Sequence, residues 1–119
     1  MKYLLDQTDM QQIPLTQIPA QSFKVILADQ YCTISIRWRQ ERLYLDLEVG
    51  QSVICRGAIC QNRADIVQSR SQNFAGTLHF IDLEGNRPPH WQGLHTGTSG
   101  RWALVYVGAD EEAPQTLRF

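Results

Sequence analysis

The chain has 119 residues, a size at which one domain with one core is expected, and its 43% hydrophobic and 19% charged content is that of an ordinary globular protein. Eleven basic and twelve acidic residues leave a formal net charge of −1, so no long-range field recruits nucleic acid or anionic lipid. No run approaches the ~20 apolar residues of a membrane span. The N-terminal MKYLLDQTD does not resemble a secretory signal, and three cysteines point to reduced thiols and not to a disulfide scaffold, so a soluble, non-secreted protein is expected.

Residues 1–12 carry no strong periodicity and read as an N-terminal extension. Ile13 to Pro19, IPLTQIP, follow as an extended arm reaching to residue 21. Proline fixes its own φ and disfavours the α region for the residue before it, and here Ile13 and Ile18 each precede one. From Gln21 to Leu47 the chain alternates apolar and polar residues in three runs: Phe23, Val25 and Leu27; then Cys32, Ile34, Ile36 and Trp38; then Leu43, Leu45 and Leu47. The breaks between them are short and polar, which suits antiparallel hairpins, so these runs predict a meander with Trp38 facing the core.

Ser52 to Cys60 form a further apolar run in which Gly57 marks a bulge or corner. Residues 61–75 read as a loop with one weak helical turn between Ala64 and Arg70. A strand is predicted at Thr77 to Leu83 and another at Arg101 to Val107, whose nearly continuous apolar pattern suits a strand covered on both faces. Between them Arg87 to Gly100 form a long loop rich in Pro, His, Gly and Thr, and residues 109–119 read as a polar tail. The fold class is therefore all-β: a small antiparallel barrel or sandwich of six to seven strands with an extended N-terminal arm, residues 13–108 forming the single domain.

Few constellations carry chemistry. Cys55 and Cys60 with His90 and His95 supply the residue types of a zinc shell, but the cysteines lie in an apolar run at opposite parity, which favours core packing. Asp46 and Glu48 lie on an outward strand face, where pairing with Arg37 or Arg39 is the expected use. No nucleophile elbow, phosphate-cradling loop or dinucleotide fingerprint occurs, so no catalytic residue, cofactor or metal is expected. Arg37, Trp38, Arg39, Arg42 and Tyr44 mix charge and rings as a stacking platform does, which leaves a peptide- or single-strand nucleic-acid-binding module as the alternative function.

The chain resembles the baseplate plug proteins of contractile-tailed phages, a small all-β family known from cyanophage baseplates. The resemblance rests on MQQIPLTQIPAQSF at Met10 to Phe23, TISIRW at Thr33 to Trp38, LYLDL at Leu43 to Leu47, Arg56-Gly57, and RWALVYV at Arg101 to Val107, and covers roughly residues 10–107. It implies a virion structural protein, assembled in the host cytoplasm, that closes the lumen of the baseplate hub or tube in several copies around an axis. Hub, spike and tube proteins are the partners it implies, and neither membrane nor nucleic acid is. The expected partner surfaces lie at the margins of the meander: Ile13, Pro14, Leu15, Ile18 and Pro19 in the arm, His90, Trp91 and His95 in the loop, and Arg101 and Tyr106 at the closing strand.

Overall fold

The computed structural model describes residues 10–68 and 73–108. Residues 1–9 of the predicted extension, the end of the predicted helical turn at Arg70 and the polar tail at 109–119 lie outside the described residues. Seven strands run in order: β1 (Met10–Ile13), β2 (Ala20–Leu27), β3 (Gln30–Arg39), β4 (Arg42–Val49), β5 (Ser52–Ile59), β6 (Thr77–Asp82) and β7 (Trp102–Val107). They form two antiparallel sheets, β2-β3-β4-β5 and β1-β7-β6. The inner faces of both sheets meet in one core, so the fold is an open sandwich and not a closed barrel.

The four-stranded sheet contains the predicted three-strand meander as β2, β3 and β4, with β5 added at its edge, and the period-two pattern explains the meander. Ile34, Ile36, Leu43, Leu45 and Leu47 are all at most 2% exposed, and at about 1.5–3 kcal/mol each they anchor the core. Two-residue turns join β2 to β3 and β3 to β4, with Ala28 and Asp29 at φ 49° and 64° and Gln40 and Glu41 at 49° and 63°. Positive φ at both central positions is the type I′ geometry that matches the twist of the flanking strands. The run at Ser52 to Ile59 stays one strand, but its pairing with β4 shifts register twice around Leu45, Leu47 and Glu48. Gly57 stands at φ 63° and donates its N–H to Asp46 Oδ1 at 2.6 Å, which is the bulge its position suggests.

The three-stranded sheet is assembled from distant segments. Residues 10–12, left in the extension by the sequence reading, and Ile13, the first residue of the predicted arm, pair with β7 from Met10 opposite Val107 to Ile13 opposite Leu104. Four residues are too few for periodicity to register. β7 is buried along its whole length: Trp102, Leu104 and Tyr106 join the main core, while Ala103, Val105 and Val107 pack with Met10 and Ile81 on the other face.

The weak helical turn expected within 64–70 is absent among the described residues. Arg63 and Gln68 take positive φ, and the backbone of Arg63 and Ile66 is bonded to the β6 carbonyls of Phe80 and Leu78. With only Ile66 and Val67 to bury, this segment gains more by lying along β6 than by closing a helical turn.

Candidate partner-binding surface

The arm and the long loop, eighty residues apart in sequence, are docked on each other. Pro14 ends β1, and the Leu15 N–H donates to the His95 carbonyl at 3.0 Å. Gln17 Nε2 donates to the Leu94 carbonyl at 2.9 Å, and Gln12 Nε2 to His95 Nδ1 at 2.7 Å. Gln21 closes the arm on itself, accepting from Thr16 N–H at 3.0 Å and donating to its carbonyl at 2.7 Å. Leu15 and Leu94 fill the core beneath, whereas Pro14, Ile18 and Pro19 stay on the surface, Ile18 at 41% exposure.

A buried carboxylate organises the loop's other end. The Asp82 side chain is fully buried, and it accepts from Arg101 Nε at 2.7 Å, Arg101 Nη2 at 2.9 Å, and the N–H groups of Glu84 and Arg87 at 2.9 and 2.8 Å. Those bonds from Arg101, followed by those from the Arg87 and Glu84 backbone, outweigh the penalty of burial and hold the carboxyl far below the usual carboxylate range. The Arg101 guanidinium also stacks 4.7 Å from the Trp102 ring, and Trp102 Nε1 donates to the Arg87 carbonyl at 3.1 Å.

Between these ties a one-turn 3-10 helix, Trp91–Gly93, is capped by His90, whose Nδ1 accepts from Gln92 N–H at 3.1 Å. The His90 ring lies 4.2 Å from Trp38 and 6.0 Å from Trp91. Trp38 has the inward parity its sequence position demands, yet its ring is half-buried at the end of the sheet, where His90 covers it. Trp38, Pro88, Pro89, His90 and Trp102 line a depression of about 490 Å³.

The structure therefore divides the expected partner residues. Ile13, Leu15 and Tyr106 are core residues, Tyr106 also donating through its hydroxyl to the Ala75 carbonyl at 2.5 Å. His95 and Arg101 hold the loop in place; Pro14, Ile18, Pro19, His90 and Trp91 keep accessible surface. The exposed edge of β2 escaped the sequence reading, because alternation reports which face is buried and not which strand is outermost.

Asp46 pairs with Arg37 at 3.1 Å and Glu48 with Arg56 at 3.4 Å on the outward sheet face. Burial alone would raise the Asp46 pKa, but the Gly57 N–H and Arg37 outweigh it and the net direction is down. Burial pushes the Cys32, Cys55 and Cys60 thiols up, furthest at Cys60. Among the described residues no three His, Cys, Asp or Glu side chains are grouped to hold a metal ion.

The family model for the cyanophage baseplate Pam3 plug gp18 matches residues 10–110. The chain belongs to this baseplate plug family. The match begins at the first residue of β1 and includes both sheets, so the family unit is the whole sandwich with its docked arm and loop. No curated protein matches the chain. Plug-family membership places the chain among structural proteins of phage baseplates.

Proposed function

We propose that the chain closes the centre of a contractile phage tail's baseplate, plugging the lumen of the hub or tube through contacts with the surrounding hub, spike and tube proteins. The observation that carries this reading is the plug-family match across residues 10–110. The architecture supports it: a sandwich whose arm and loop are tied down presents fixed surfaces, with Asp46, Glu48 and Asp82 engaged in ion pairs and Cys32 and Cys60 buried. Binding and shape are all that such a role asks, with no substrate or cofactor. Several copies around the tail axis, assembled in the bacterial cytoplasm, fit the symmetry of such particles.

The test is to label the chain in the phage that encodes it, purify tails and image them. Label at the axial position of the baseplate, with the chain retained after high-salt washing, is expected. Purified infectious tails that lack the chain, or label along the sheath, would contradict the reading.

A further inference from the structure

The sandwich has four sheet edges, and three of them are protected against further strand pairing among the described residues. β1 is four residues long and ends at Pro14. β6 is covered by the 62–66 segment through bridges at Asn62 and Asp65, with Arg63 N–H donating to Phe80 O at 2.7 Å and Ile66 N–H to Leu78 O at 2.8 Å. β5 carries two register shifts and a positive-φ Gly57, which twist an edge out of pairing geometry. Among the described residues β2 has none of these devices: it is eight residues long, regular in register from Ala20 to Leu27, and paired on one side only.

Its backbone polarity follows from the turn. Leu27 and Gln30 flank a two-residue turn, so they form a hydrogen-bonded pair, and the alternation runs back to Pro19, whose carbonyl accepts from Trp38 N–H at 2.8 Å. Ala20, Ser22, Lys24 and Ile26 therefore aim their N–H and C=O groups away from β3, over the open edge.

Two mostly apolar depressions meet along this edge. One of about 520 Å³ is walled by Ile13, Pro14, Ile18, Phe23 and Val25; the other, of about 630 Å³, by Val25, Ile26, Tyr31 and Cys32. Ile26 and Tyr31 are 54% and 71% exposed. Lys24 lies between the depressions, exposed and without an ion-pair partner among the described residues, and it is the only charged side chain on β2.

We propose that the β2 edge accepts an extended segment of a neighbouring baseplate protein by strand addition, with apolar side chains at alternate positions entering the depressions and a carboxylate facing Lys24. Main-chain bonds to Ser22, Lys24 and Ile26 supply the attachment, and the side-chain pattern supplies selection. Lys24 decides against a second copy as occupant. Antiparallel pairing of β2 with itself in a register that opposes Lys24 to Lys24, Ser22 or Ile26 sets two lysines on one sheet face directly opposite or within diagonal reach, whereas a carboxylate in the adjoining strand neutralises the charge.

This inference rests on the plug reading, and the experiment separates the two. Ser22→Pro removes an edge N–H that the β2–β3 ladder does not use, while Ser22→Ala removes only the hydroxyl bonded to Ser35. Both variants are produced in the phage's own host. Thermal melts of the purified proteins check the fold, incorporation into tails is quantified, and a benzophenone amino acid at Ile26 or, as control, Val53 maps neighbours by mass spectrometry. Ser22→Pro is expected to melt near the wild type and yet enter tails about tenfold less. Lys24→Glu is expected to lose incorporation similarly, Ser22→Ala is expected to behave as the wild type, and Ile26 is expected to cross-link to an alternating apolar segment of another baseplate protein that carries an Asp or Glu. Wild-type incorporation of a folded Ser22→Pro chain, cross-links from Ile26 to β2 of a second copy, or cross-links to that segment from Val53 instead would overturn the proposal. Absence of the wild-type chain itself from tails would instead sink the plug reading.

Discussion

The two sheets achieve order by opposite means. In β2 to β5 every strand pairs with its neighbour in sequence, and the turns are two residues long. In β1-β7-β6 the strands are brought from both ends of the domain, and side-chain bonds hold their surroundings: Asp82 to Arg101, Tyr106 to Ala75, and His79 to Thr77 Oγ1 and the Arg63 carbonyl. The difference teaches where each sheet can tolerate change. Among the described residues the local sheet leaves its β2 edge unpaired, while the non-local sheet, buried on both faces along β7, carries the ties that join the two ends of the domain.

Substitutions in the non-local sheet should therefore cost most. Gly76 stands at φ 105°, and a Cβ there would lie 2.5 Å from the Tyr106 ring and from the Val107 carbonyl oxygen. Gly76→Ala is expected to destabilise by more than about 3 kcal/mol in urea unfolding, because both backbone strain and a backbone clash oppose it. A loss under about 1 kcal/mol would mean that the β7 end of the sheet is loosely held.

Asp82→Asn keeps the shape but removes the charge that gathers four donors, and a loss of about 2–3 kcal/mol is expected. The sign with pH follows from the depressed carboxyl. Its stabilisation is complete above the unfolded carboxylate pKa of about 4 and drains away as pH falls below it towards the lower folded value. Melts taken from pH 6 downward should show the wild type losing this margin and Asp82→Asn following a flatter acid limb; parallel limbs would remove Asp82 from the account.

The local sheet should respond weakly, and in one place favourably. Ala28 adopts a left-handed φ that alanine disfavours, and Asp29, which tolerates it, stands at the second turn position where glycine is preferred. Ala28→Asn with Asp29→Gly supplies a type I′ pair and is expected to gain about 0.5–1 kcal/mol, read as a raised melting temperature. Arg37→Ala should change stability by about 0.5 kcal/mol or less, since the Arg37–Asp46 pair is partly exposed and Asp46 keeps its bond to Gly57 N–H. A loss comparable to that of Asp82→Asn would erase the contrast between the sheets.

What the sequence disclosed follows the same division. Leu43, Leu45 and Leu47 announce a half-buried strand by alternation, and RWALVYV announces a strand covered on both faces by its continuous apolarity. The start of β1 at Met10 was hidden, because MQQI has no period of its own and becomes a strand only when β7 offers a partner. The arm and the 87–100 loop were each legible as surface segments, but their docking through Leu15, Gln17 and His95 depends on glutamine and backbone bonds that no local pattern records. Trp38 shows the limit of parity, which assigns a face and says nothing of His90 arriving over the sheet's end.

The central claim is that the plug is seated by the open edge of its local sheet. Amide hydrogen exchange of the chain within intact baseplates, compared with the isolated chain, tests it most directly. Protection gained at the Ser22, Lys24 and Ile26 amides and absent along β5 is the expected result. Unchanged exchange at those three amides in the assembled baseplate would contradict it.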